Sequence, residues 1–236
     1  MNTSSRIAKW VAVASLLGMA KATAQSFVFA SGLAQGGIVP DGNLAGWADT
    51  RTVSGLPYTS IGTIKVSLAL NGGTSGDLYA FLSNGTGMSV LLNRPSVTTS
   101  DAFGYADGDL SIVFADAATN GDIHLYQNST GDYYSGAEFE PDGRAVSPLV
   151  VTDASPRTAG LGAAFAGSNP NAVWTLFVAD VVSGGAPPIV LQWGIEFAPV
   201  PEASTTCLMA TLALGAFAVG RRAWQRRGRP GEQPAP

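Results

Sequence analysis

The chain has 236 residues, of which 46% are hydrophobic and only 13% charged, with a formal net charge of −4. Between residues 25 and 200 the balance is far more acidic, 15 Asp and Glu against 5 Lys and Arg, which repels phosphate backbones and argues against a nucleic-acid partner. The single cysteine, Cys207, excludes an internal disulfide, so 176 residues must be held by their own core, and that length suffices for one domain.

Residues 1–24 read as a secretory signal peptide. Arg6 and Lys9 supply the positive start, residues 10–20 the apolar stretch, and Ala22-Thr23-Ala24 a small-residue cleavage site, so the mature chain is expected to begin near Gln25. Residues 25–60 form a glycine-rich entry with one strand expected. Period-two alternation follows: Ile64, Val66, Leu68 and Leu70 share one face, with Thr63, Lys65, Ser67 and Ala69 on the other. Further short strands are expected over 78–82, 89–92, 111–114, 123–126 and 173–178, each bounded by Gly, Asn, Asp or Pro. Residues 141–171 read as a long, loop-rich crossing. In the closing strands Trp174, Leu176 and Val178, and then Ile189, Leu191, Trp193, Ile195 and Phe197, should all point inward, because a slip of one residue would turn each set to water. The pattern predicts an all-β fold, a β-sandwich or jelly roll spanning 25–200.

The tail carries a different signal. Val200-Pro201-Glu202-Ala203-Ser204 leads into 18 uncharged residues, 203–220, and then into Arg221, Arg222, Arg226 and Arg227, with a short polar end over 230–236. As a helix the run spans roughly 27 Å, close to a bilayer core of roughly 30 Å, and the arginines orient it with their end in the cytoplasm. This three-part layout over 201–229 resembles the PEP-CTERM sorting signal of bacterial envelope proteins, with Ala203 in place of the second proline. The resemblance implies recognition by an exosortase-like processing enzyme at Val200, Pro201, Glu202, Arg221 and Arg222. It also implies an inner-membrane anchor, with the preceding domain outside the cytoplasm or released to the cell surface.

A second resemblance covers residues 38–197. The landmarks are Gly76-Asp77-Leu78, Leu82-Ser83-Asn84-Gly85-Thr86, Phe114-Ala115-Asp116-Ala117-Ala118 and Glu140-Pro141-Asp142-Gly143-Arg144. Trp174-Thr175-Leu176-Phe177-Val178-Ala179-Asp180 and Leu191-Gln192-Trp193-Gly194-Ile195 complete the series. In this order they resemble the P domain (P/Homo B domain) found behind the catalytic domain of proprotein convertases and bacterial subtilisin-like proteases. Asn71 to Ser75 stand where that family often has a histidine, and Val173 stands where a glycine often precedes the tryptophan. The resemblance implies a jelly-roll sandwich that packs on a protease and sometimes binds calcium, with Asp77, Asp116 and Asp180 at the family landmarks.

No catalytic site accompanies these motifs. The chain has one histidine, His124, in a strand-like segment expected to face solvent, and no Gly-x-Ser-x-Gly elbow. Asp101, Asp107, Asp109, Asp116 and Asp122 fall within 22 residues, a density that suits either a hard cation or turns in which aspartates bond their own backbone. Trp174 and Trp193 read as core, and Tyr105, Tyr126, Tyr133 and Tyr134 as candidates for an exposed aromatic surface. Three functions follow from the sequence. The first is a non-catalytic, exported module that binds or stabilises a partner, such as a separate protease or an envelope component. The alternative is a carbohydrate- or exopolysaccharide-binding jelly roll, and the third a serine-type endopeptidase accessory fragment.

Overall fold

A computed structural model describes residues 23–158 and 160–200. Nearly all of the signal-peptide segment, the apolar run 203–220 and the motif residues Pro201, Glu202, Arg221 and Arg222 lie outside the described residues. Among the described residues, no helix is long and apolar enough to cross a membrane.

The strands are β1 (Gln25–Phe29), β2 (Trp47–Thr52), β3 (Ile61–Asn71), β4 (Leu78–Asn84), β5 (Gly87–Asn93), β6 (Leu110–Phe114), β7 (Ala137–Phe139), β8 (Val173–Asp180) and β9 (Ile189–Pro199). They form a five-stranded sheet in the order β1-β9-β3-β6-β7 and a four-stranded sheet in the order β2-β8-β4-β5. All pairings are antiparallel except β6 with β7, which is parallel. The chain is therefore a two-sheet, all-β sandwich.

Alternation dictates which side of each strand is buried. Ile64, Val66, Leu68 and Leu70 of β3 face Trp174, Leu176 and Val178 of β8 across the core, as the sequence pattern requires. Trp193, Ile195 and Phe197 of β9 join them. Ile189 and Leu191 do not: Ala69 pairs with Gln192 but Leu70 pairs with Val190, so Leu191 is the extra residue of a bulge. The bulge inverts the alternation upstream of Trp193, leaving Leu191 52% exposed and burying Val190 instead.

Other expectations are also corrected. Residues 25–60 hold two strands, β1 and β2, where one was expected, and β7 was not foreseen. Ile123–Asn128 is a 3-10 helix and not a strand. The Asp122 side chain accepts the His124 amide at 3.0 Å and starts the turn. A three-residue period then puts Ile123 and Tyr126 on one buried side. Within the long crossing, α1 (Leu161–Phe165) is a single turn that buries Leu161 and Phe165. Its first amides are capped from afar, Leu161 and Gly162 donating to the Asp116 carboxylate at 2.7 and 2.6 Å. A side chain at Gly160 would crowd that carboxylate and push it off the two amides.

Candidate functional site

The three landmark aspartates do not converge. Asp116 spends both oxygens on the start of α1. It also lines a cleft of about 240 Å³ with Glu140, Pro141, Arg157 and Gly160, where Arg157 is already paired with Glu140 at 2.9 Å. Asp77 and Asp180 remain neighbours, because Leu78 pairs with Asp180 where β4 starts and β8 ends. Burial pushes the Asp180 carboxyl up to about 6, opposed by a bond from the Val182 amide and reinforced by the charges of Asp77 and Asp41. Asp77 is raised by burial against the pull of Arg94, whose guanidinium lies 3.8 Å away. No group of three or more metal-ligating side chains gathers among the described residues, and Asp116 stands apart from Asp77 and Asp180. Nor do Asp101, Asp107, Asp109, Asp116 and Asp122 share one point. Asp101 accepts from the Phe103 amide two residues on, as turn-forming aspartates do, whereas Asp109 ties down the distant Gly72 amide and Asn71 side chain.

His124 is fully buried, contrary to the solvent-facing position expected for it. The 3-10 turn carries it under the crossing segment. There Nδ1 lies 2.8 Å from Asp142 Oδ2, and Nε2 lies 3.3 Å from the Val97 carbonyl oxygen. Arg144 links Asp142, at 3.2 Å, to Asp122, at 2.9 Å. The same segment is laced onto β5, with the Asp142 and Gly143 amides donating to Leu91 and Val90 and Asn93 Nδ2 donating to the Arg144 and Val146 carbonyls. A histidine–carboxylate pair is two-thirds of a hydrolytic triad, but a general base must reach a proton on a reacting group. Here the remaining nitrogen faces a carbonyl oxygen, an acceptor with no proton to give. The sequence could not reveal this cluster, since its members lie on three separate stretches, at 97, 122–124 and 142–144, and none repeats at a diagnostic spacing.

The four tyrosines divide. Tyr126 and Tyr133 belong to the core, stacked with centroids 4.1 Å apart, which corrects their assignment to the surface. Tyr126 donates to Asp107, and burial with that bond raises its phenol while the same bond lowers the Asp107 carboxyl. Tyr105 is half-buried against Tyr126, and Tyr134 is 52% exposed.

The surface best suited to binding is one the sequence reading missed, the outer face of the four-stranded sheet. Phe81 and Phe177 are directly paired across β4 and β8, and their rings stack at 4.7 Å and 15°. Tyr79 stands 6.0 Å from Phe81 and 6.3 Å from Phe177. All three are half-buried, and Val173, Thr175, Ala48 and Thr50 extend the face without a charge. Cross-strand pairing explains the stack. The signal was present as Tyr79 and Phe81 on the side of β4 opposite the buried Leu78, Ala80 and Leu82, but only the register with β8 brings Phe177 to them.

No known family matches the chain, and no curated protein matches it. Among solved structures, the complex of the Aeromonas sobria serine protease with its chaperone ORF2 aligns at 12% identity with a TM-score of 0.39. That alignment covers 74% of this chain and 26% of the other, so this chain spans about a quarter of its length. A likeness of that size carries no argument about function.

Proposed function

We propose that the chain is an exported, non-catalytic module of P-domain type with a jelly-roll sandwich, which binds and stabilises a protease domain supplied by another chain. The observation that carries this reading is the uncharged aromatic face of Tyr79, Phe81 and Phe177 on a domain whose residues 25–200 carry a net charge of −10. A face without carboxylates buries against a folded partner without stranding charge. The burial of His124 against acceptors on both ring nitrogens supports the absence of catalysis. In the full chain, a photo-crosslinker at Thr175 should capture a subtilisin-like catalytic domain in the native envelope, and Phe177→Asp should abolish the adduct. Crosslinks to no protein would sink the reading, as would peptide cleavage lost on His124→Ala.

Tyr134, exposed beside Tyr133, supports the second reading, a carbohydrate or exopolysaccharide ligand. The stacked Phe81 and Phe177 rings hide faces that a sugar would need. Glycan binding abolished by Tyr134→Ala and untouched by Phe177→Asp would bring this reading forward. The tail completes the proposal: an exosortase-like enzyme processes it, and the domain is held at the envelope. Replacing Arg221 and Arg222 by Ser should change the retention or processed size seen on fractionation. An unchanged pattern would mean that the tail has been misread.

A further inference from the structure

The ends of the sandwich differ in charge. Gln25 pairs with Phe197 and Ile61 with Pro199, so the start of β1, the start of β3 and the exit of β9 share one pole. The loops 53–60, 85–86 and 166–172 meet there, since Val53 donates to Ala172, Ile61 to Ser168 and Gly167 to Ile61. None of these loops contains a charged residue. On the flanks, the charge of Asp116 is held by two amides, Glu140 beside it is paired with Arg157 at 2.9 Å, and Arg51 is paired with Asp49 at 2.7 Å. The other pole, where β3 and β8 end and β4 begins, carries Asp41, Asp77, Asp101, Asp107, Asp109 and Asp180 against Arg94.

We infer that the neutral pole rests on the phospholipid headgroup surface and that the aspartate-rich pole points away from it. The inference rests on the reading of residues 203–220 as a membrane span and concerns the chain while its tail is still unprocessed. Three residues, Val200, Pro201 and Glu202, separate the end of β9 from that run. Their full reach from Pro199 to Ala203 is roughly 14 Å, so the neutral pole lies against the bilayer surface. β3, with 11 residues, then carries the opposite pole roughly 33 Å away. That is about four Debye lengths at physiological salt, beyond the repulsion of anionic lipids. Turned the other way, the domain would press six carboxylates toward anionic headgroups.

The test uses the full chain with Cys207→Ser and one fluorescent label, either at Thr86→Cys in the neutral pole or at Ser183→Cys beyond the end of β8. The labelled chain is reconstituted in phosphatidylcholine–phosphatidylglycerol vesicles carrying a headgroup quencher. Flotation with the vesicles and severalfold stronger quenching at position 86 than at 183 is the expected result. Thr59→Asp with Asn169→Asp should lower the quenching at 86, and added salt should restore part of it. Flotation with equal quenching at both positions overturns the docking and leaves the span reading intact. Failure to float overturns the span reading, and the docking with it.

Discussion

One bond crosses the core between the two sheets. The Trp193 indole donates to Asp49 Oδ2 at 2.8 Å, from β9 in one sheet to β2 in the other. Asp49 also accepts from Arg51 Nε at 2.7 Å and from the Ala34 amide at 3.2 Å, and it is 4% exposed. Trp193→Phe keeps most of the ring and removes only the donor. A hydrogen bond to a buried charge contributes roughly 1.5–3 kcal/mol, and the smaller ring adds a modest cavity cost, so a loss of about 2–4 kcal/mol is expected. Trp193→Ala empties the site and should cost about 3–5 kcal/mol or more, close to the whole stability of a marginal domain at about 5–15 kcal/mol. Gln192→Ala, on the outer face, should cost less than about 1 kcal/mol. Urea melts of these variants, with Asp49→Ala and the Asp49→Ala/Trp193→Phe double variant, close a thermodynamic cycle. A coupling above about 1 kcal/mol is expected, whereas one below about 0.5 kcal/mol would mean that indole and carboxylate act independently. In that case the bond does not tie the sheets.

The bulge in β9 predicts that Leu191→Ser changes stability by no more than about 0.5 kcal/mol, while Val190→Ser is plainly destabilising; the reverse order in urea melts would restore unbroken alternation. Asp180 holds its proton more tightly in the folded chain than in the unfolded one. The cost of its charge is therefore present above about pH 6 and is relieved as pH falls toward 4. Asp180→Asn should raise Tm at about pH 8 and raise it much less at about pH 4, and a gain independent of pH would contradict the assigned cause. Calcium added at millimolar concentration should leave Tm unchanged. A rise abolished by Asp77→Asn together with Asp180→Asn would show that these carboxylates do hold the ion.

The sandwich was legible wherever a strand buries one side only. In β3 each buried residue is flanked by polar or small neighbours, so period two alone locates the core. Legibility failed where a local device interrupts the period. The extra residue at Leu191 inverts alternation without changing composition. Asp122 converts 123–126 into a 3-10 turn whose apolar spacing over so few residues also fits a strand. β7 is only three residues long and is held by parallel pairing to β6, too short to carry a pattern of its own. The candidate site was less legible still. Asp77 and Asp180 are neighbours only through the β4–β8 register, and Asp116 is drawn off to cap α1. The Phe81–Phe177 stack depends on cross-strand register, which a single sequence does not encode locally.

The order in which the strands leave the ribosome has a kinetic consequence. Both sheets are closed by late strands reaching back to early ones: Ser26 bonds Glu196 across 170 positions in one, and Thr50 bonds Thr175 across 125 in the other. In the five-stranded sheet β9 lies between β1 and β3, and in the four-stranded sheet β8 lies between β2 and β4. Until residues 173–199 exist, β1 has no neighbour, β2 has none, and β3 lacks one side. Loop-closure entropy is thus incurred nearly in full before the long-range contacts repay it, which places the domain among slow, high-contact-order folders. Before residue 173 only β3 with β6 and β7, and β4 with β5, have their partners, and neither sheet is complete until the last two strands arrive.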